Sequence, residues 1–229
     1  VGADVEVCAM LLYLSDNLLR ARTTVGSLID KPIKTIVVTS SLAGEGKSTV
    51  VGNLAYSLSQ DGARVLVIDC DLRKPSIHEN FLLANEKGLT DVLFGKSDLK
   101  GVTKKIEDCL FLITAGTILP NPPEILGSKE MENLIKELKI NFDYIIIDTP
   151  PILPVSDTLL LASKADATLI VVKARKTKEK IFKESYERLI EAKANVIGTV
   201  LNESDKSLDN KYYGNYGDGK NKKGKIFNK

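Results

Sequence analysis

The sequence predicts an α/β protein built on a doubly wound, mostly parallel β-sheet, and three observations carry that expectation. Short apolar runs alternate with helical patterns along most of the chain, the order that places crossover helices on both faces of one sheet. The runs are continuously apolar rather than alternating, as in Arg64-Val-Leu-Val-Ile-Asp69 and Tyr144-Ile-Ile-Ile-Asp148, so both faces of each strand must be covered. Both of these runs end on an aspartate, at the carboxyl edge where ligands bind such sheets.

Composition bounds the rest. At 229 residues the chain fits one large domain, and 43% apolar with 27% charged residues is the balance of a globular protein. The formal charge of +2 is uneven: residues 219–229 hold Lys220, Lys222, Lys223, Lys225 and Lys229 and no acid, leaving −3 on the remainder. That basic end reads either as a solvated terminus or as a contact for an anionic surface such as the inner membrane leaflet. Cys8, Cys70 and Cys109 form no C-x-x-C pair, which suggests neither a disulfide framework nor a zinc site and fits a reducing cytosol. The single His78 argues against histidine-dependent metal or triad chemistry and reads as a loop residue at the surface. Val5 to Leu14 is apolar over about ten residues, short of the ~18 needed to span a bilayer. No interleaving of aromatic and basic residues points to nucleic acid.

Three segments are expected: a helix-bearing arm over 1–30, an α/β domain over 31–203 and a flexible tail over 204–229. In the arm Val7, Leu11, Leu14, Leu18 and Val25 fall near helical spacing, and Lys31-Pro32 marks its boundary. Thr35–Thr39 is the first strand, followed by a helix from Lys47 to near Gly62 and a strand over Arg64–Asp69. After a polar loop come helical pieces at Leu89–Phe94 and Leu99–Ile106, then a strand at Leu110–Thr114. Leu119-Pro120-Asn121-Pro122-Pro123 is read as non-helical loop. Ser128 is placed to cap a helix running to about Lys139. Strand Tyr144–Asp148, helix Ser156–Ala165 and strand Ala167–Lys173 follow. Lys178–Ala192 is an amphipathic helix with Phe182, Tyr186, Leu189 and Ile190 on one face, and Val196–Leu201 is the last strand.

The turn between the first strand and its helix is Ser40-Ser41-Leu42-Ala43-Gly44-Glu45-Gly46-Lys47-Ser48-Thr49. Gly44 and Gly46 free the backbone to turn sharply and aim successive N–H groups at one point, a nest for an anion. The helix beginning near Lys47 adds its unsatisfied N–H groups and the positive end of its dipole. Lys47 supplies a mobile cation for outer phosphates, and the Ser48 hydroxyl suits a bridging magnesium ion. The loop departs from the general G-x-x-x-x-G-K-[ST] pattern, since Ser41 stands where the first glycine is asked for.

Asp69, Asp71 and Asp148 lie beside that loop at strand ends, in Val-Ile-Asp69-Cys-Asp71-Leu-Arg73 and Ile-Ile-Ile-Asp148-Thr-Pro-Pro. Carboxylates there can hold magnesium directly or through water, or take a proton from an incoming hydroxyl. Phosphate loop, Val-Ile-Asp-x-Asp-x-Arg and Ile-Ile-Ile-Asp-x-x-Pro together resemble the bacterial tyrosine kinases that control capsule and exopolysaccharide synthesis, whose P-loop fold is related to the partitioning ATPases. The resemblance covers roughly residues 15–216. Pro120-Asn121-Pro122-Pro123-Glu124-Ile125-Leu126 and the cluster Tyr212-Tyr213-Gly-Asn-Tyr216 are similar to that family too.

What the resemblance implies is an ATP- and Mg2+-dependent kinase that phosphorylates Tyr212, Tyr213 and Tyr216 of another copy and regulates polysaccharide synthesis and export. Ala43, Gly44, Glu45, Gly46, Lys47, Ser48 and Thr49 would cradle the nucleotide, Ser48 would bind magnesium, Asp69 would activate the tyrosine hydroxyl, and Asp71 and Asp148 would order the metal and its waters. Asn202 resembles the position that reads adenine in related ATPases, and equally suits a turn at a strand end. Implied partners are a transmembrane activator of the polysaccharide co-polymerase type, a cognate tyrosine phosphatase and other copies of the chain, with the protein held in the cytoplasm at the inner face of the membrane. The family's ring-forming Glu-x-x-Arg-x-x-Arg pattern is altered here to Asp16, Leu19 and Arg22, with Arg20 at a shifted position. Two other readings compete: a partitioning or positioning ATPase, against which stands Leu42 where those proteins carry a signature lysine, and a nucleotide-binding scaffold without turnover, against which stands the intact set of Lys47, Ser48, Asp69 and Asp148.

Overall fold

A computed structural model describes residues 33–203. The elements run β1 (Thr35–Ser40), α1 (Lys47–Gln60), β2 (Val65–Asp69), α2 (Ile77–Asn80), α3 (Leu89–Leu93), α4 (Leu99–Val102), β3 (Lys104–Lys105), β4 (Leu110–Ile113), α5 (Pro122–Leu126), α6 (Lys129–Asn141), β5 (Tyr144–Asp148), α7 (Asp157–Ala162), β6 (Ala167–Lys173), α8 (Glu179–Glu191) and β7 (Val196–Asn202). They form one seven-stranded sheet in the order β3-β4-β2-β5-β1-β6-β7. Every pairing is parallel except that of β3 with β4. The chain winds outward from β1 through β2 to β4, returns to insert β5 between β2 and β1, and continues through β6 to β7, which makes the expected doubly wound sheet.

Both faces of the strands are covered, which is why their sequences read as unbroken apolar runs. Ile145 and Ile147 join Leu66, Ile68 and Ile113 in a core closed by Leu126, Met131, Leu138, Leu161 and Leu189. Ile146 points the other way, with Ile36, Val38, Val65 and Val67, onto Val50, Val51, Leu54 and Leu58 of α1. At the amino edge Asp166 fastens the sheet, its carboxylate accepting from Lys34 N, Thr35 N and Lys139 Nζ at 2.8–3.0 Å. The Ser128 hydroxyl accepts from Met131 N at 3.2 Å and caps α6 as its position predicts.

Four expectations are corrected. Leu99–Ile106 is helical only to Val102; Thr103 turns extended (φ −76°, ψ 111°), and Lys104 and Lys105 then pair antiparallel with Leu112 and Phe111. β4 would otherwise leave a row of backbone groups unpaired, and a two-residue lysine strand covers them while discouraging further pairing. Pro122 and Pro123 open α5 rather than prevent it, because the first turn of a helix has no intrahelical use for their missing N–H groups. His78 lies in the short helix α2 inside the expected polar loop, half-buried, with its Nδ1 enclosed. Ile190 is 48% exposed; the buried face of α8 is carried by Leu189 and Ser185, with Phe182 stacked on Tyr186 at 6.2 Å. The arm over 1–30 and the tail with Tyr212, Tyr213 and Tyr216 lie outside the described residues.

Candidate active site

The loop after β1 turns through Gly44 (φ 78°) and Gly46 (φ 90°), both in the left-handed region, and Gly46 is the N-cap of α1. Glycine has no side chain with which to cap, and the first turn of α1 carries no acid, so its N–H groups remain available to an anion. Leu42, Ala43, Gly44 and Thr49 are exposed, while Gly46, Lys47 and Ser48 are half-buried at the mouth of this cradle. Glu45 is the exception, at 4% exposed. Its carboxylate accepts from Leu42 N at 2.8 Å and from the Thr177 hydroxyl, tying the loop to the segment after β6.

Asn202, at the end of β7, donates through Nδ2 to the Glu45 carbonyl at 3.0 Å and accepts from Glu203 N through Oδ1. The side chain expected to read adenine thus also braces the loop from below. A Cβ on Gly46 would stand 2.0 Å from Asn202 Nδ2, in a conformation that side chains rarely adopt. We therefore expect Gly46→Ala to lower the stability of the free protein by about 1–3 kcal/mol and to abolish nucleotide binding. A melting curve with an ATP titration checks this; wild-type affinity in the variant would contradict it.

The three acids converge as the sequence predicts. Asp69 and Asp148 stand directly opposite each other across β2 and β5, and Ser48 Oγ donates to Asp148 Oδ2 at 2.7 Å. Lys47 Nζ lies 3.2 Å from Asp71 Oδ2 and 3.7 Å from Asp148 Oδ1. Asp69 accepts from Asp71 N and Ile77 N, and Asp71 Oδ1 from Lys74 N, so the carboxylates also fold the loop after β2 around themselves. Burial pushes the Asp69 carboxyl up to about 7, with Asp148 adding to the rise and the Asp71 N–H opposing it. Burial likewise raises Asp148 to about 6, against the pull of Lys47 and the Ser48 hydroxyl. Between the acids, Cys70 is held far from its thiolate form by burial and by their charge.

Two residues here carry no sequence signal of their own. Ser76 occupies the N-cap position of α2 without capping it; its hydroxyl lies 3.2 Å from Ser48 Oγ instead. Thr177 reaches Glu45 across 132 residues of chain.

The donor set suits a magnesium–nucleotide pair. Asp148 Oδ1 is buried with no hydrogen-bond partner among the described residues, facing only Lys47 Nζ at 3.7 Å, and a bound cation or its water would satisfy it. No group of three or more His, Cys, Asp or Glu among those residues is arranged to hold a metal alone. Magnesium asks for less: one or two protein oxygens, with phosphate oxygens and water completing the octahedron. Ser48 and Asp148 would provide the protein oxygens, and the α1 terminus with Lys47 would hold the phosphates.

A glycine-bearing strand-to-helix loop, a lysine among acids at strand ends and a doubly wound sheet define a P-loop nucleotide-binding domain. The AAA domain profile matches residues 33–198. Tyrosine-protein kinase YwqD of Bacillus subtilis (strain 168) is 40% identical over 190 residues, spanning 82% of this chain and 80% of that protein. Among solved structures, the chimerical protein CapA2B2 superposes with a TM-score of 0.80 at 34% identity, over 84% of this chain and 85% of that one. The kinase domain of Escherichia coli tyrosine kinase ETK gives 0.76 at 29% identity, over 82% and 76%. The chain belongs to the P-loop family of bacterial tyrosine-protein kinases. No helix among the described residues is long and apolar enough to cross a membrane.

Proposed function

We propose that this protein is an ATP- and Mg2+-dependent tyrosine kinase that phosphorylates Tyr212, Tyr213 and Tyr216 of a second copy, and so controls capsular or exopolysaccharide synthesis and export. The observation that carries the reading is the meeting of Lys47, Ser48, Asp71 and Asp148 at the N-terminus of α1. Lys47 exchanges its carboxylate partners for phosphate oxygens when nucleotide binds. Ser48 and Asp148 keep the metal subsite in register with the loop, and Asp71, 5% exposed, joins them through Lys47. Magnesium, when bound, neutralises charge developing on the transferred phosphoryl group. Asp69 is the proton acceptor for the incoming phenol, whose ordinary pKa is about 10. The site stands on β1, β2 and β5, so its groups are held in place before the substrate arrives.

The tail is suited to the acceptor role by composition: its tyrosines sit among Gly, Asn, Asp and Lys, a mixture that builds no core. Each phosphate adds about −1.5 to −2 charges, which repels the tail from a site that already holds three acids and a nucleotide. A transmembrane activator, a cognate phosphatase and further copies of the chain are the partners this reading calls for, with the kinase working in the cytoplasm at the membrane's inner face.

Purified protein with magnesium and ATP, alone or with an activator peptide, should gain phosphate at positions 212–216; mass spectrometry finding none under either condition would sink the reading. Changing all three tyrosines to Phe should remove the labelling and leave ATP affinity intact.

A further inference from the structure

Arg73 closes the Val-Ile-Asp69-Cys-Asp71-Leu-Arg73 run, yet the chemistry above makes no use of it. Its guanidinium grips Asp157 at two points, Nε donating to Oδ2 at 2.7 Å and Nη2 to Oδ1 at 3.1 Å. Asp157 is 1% exposed and Arg73 41%, so a surface arginine reaches inward to a core carboxylate. The two residues are 84 positions apart. The pair therefore joins the loop after β2, which carries Asp71, to the first residue of α7, at the end of the loop that leaves β5 after Asp148.

The two loops differ in how they are held. The one after β5 rests on the sheet: Thr149 N and Oγ1 donate to Val38 O, Ile152 N to Ser40 O, and Thr39 and Thr158 hydroxyls to Pro150 O. Arg188 Nη1 adds a bond to Leu153 O. The loop after β2 is anchored where it leaves the strand, with Cys70 N on Asp148 O and Cys70 and Leu72 buried in the core; beyond Leu72 it is exposed at Arg73 and Lys74 and folded by its own acids, with Lys74 N on Asp71 Oδ1 and Ile77 N on Asp69 Oδ2. Its side-chain contacts with the phosphate loop are Ser76 on Ser48 and Lys47 on Asp71. The second, which bears on Asp71 itself, would be given up if Lys47 turned to phosphate. Arg73 on Asp157 then ties the loop to a rigid neighbour.

We infer that Arg73 is a positioning residue for phosphoryl transfer: paired with Asp157, it holds Asp71 in register with the nucleotide after Lys47 has left it. The inference rests on the kinase reading above. A planar fork spans both oxygens of a carboxylate and a point ammonium does not, so charge alone cannot substitute for this geometry.

The test uses the full chain with a peptide of residues 204–218 as acceptor, comparing wild type, Arg73→Lys and Arg73→Ala. In Arg73→Lys, kcat should fall about 10- to 100-fold, the loss expected of a misplaced reacting group, with ATP affinity and melting temperature essentially unchanged. Hydrogen exchange over residues 70–76 in the presence of magnesium and a non-hydrolysable ATP analogue should quicken in the same variant. Arg73→Ala should show both effects and a lower melting temperature; should it fail to fold, Arg73→Lys decides alone. A lysine variant with wild-type kcat and unchanged exchange overturns the inference, as does a fall in kcat that only tracks lost stability or lost ATP binding. A wild-type protein that leaves the peptide unlabelled defeats the kinase reading instead, and the exchange data still decide whether Arg73 holds the loop.

Discussion

Lys47→Met is expected to lower phosphate incorporation into the tail by at least about 10²- to 10³-fold, the usual consequence of removing a charged group aimed at a transferring phosphoryl. Lys47 does a second job in the free protein. It lies between Asp71 and Asp148, and is the main influence opposing the rise of the Asp148 pKa. Methionine is close in length but leaves both acids without their cation. At neutral pH the nucleotide-free variant should therefore lose about 3 kcal/mol, the scale for breaking a buried pair on one side. Much of that loss should disappear near pH 5, where Asp148 takes up a proton. Radiolabel transfer and melting curves at the two pH values check both parts. A variant that still labels its tail would show that Lys47 is not needed for transfer, and one that melts with wild-type pH dependence would show that it does not act through these acids.

Asp69→Asn tests the proton acceptor and should reduce turnover about 10²- to 10⁴-fold while ATP binding persists. Its effect on stability changes with pH. In the folded protein Asp69 holds a proton up to about 7, against 3.8 ordinarily. Between those values the folded state binds more protons than the unfolded one, so stability falls as pH rises through the interval and levels off above 7. The full drop is of the order of 4 kcal/mol for this group. Asparagine cannot ionise and removes that slope, but it turns an amide toward one of the two N–H donors from Asp71 and Ile77, at a cost of about 1–3 kcal/mol. The nucleotide-free variant should thus melt below wild type at pH 5 and close or reverse the gap at pH 8. Parallel curves for the two proteins across that range would remove Asp69 as the source of the slope.

The strands were legible because a parallel sheet covered on both faces demands unbroken apolar runs, and few other arrangements do. Tyr144–Asp148 and Ala167–Lys173 have the bounds expected from the sequence, and α6 begins after the serine expected to cap it. The phosphate loop was legible for a related reason: Gly44 and Gly46 adopt positive φ within a ten-residue stretch, and that requirement is written locally. The misreadings are also local. Pro122-Pro123 reads as a helix breaker because proline excludes itself from helix interiors, whereas the chain uses it at the first turn. Lys104-Lys105 has no strand signature at all, since an edge strand is defined by the neighbour it covers.

Local chemistry along the chain was thus enough to specify the sheet, the cradle and the acids at its rim. The contacts that tune the site were not written there: Ser76 on Ser48, Thr177 on Glu45, Arg73 on Asp157, and the burial of Asp69 opposite Asp148, which raises its carboxyl to about 7. Each joins residues 28 to 132 positions apart or depends on burial between strands. Periodicity and propensity act over a few residues, so such pairings arise only when the sheet brings its loops to one edge.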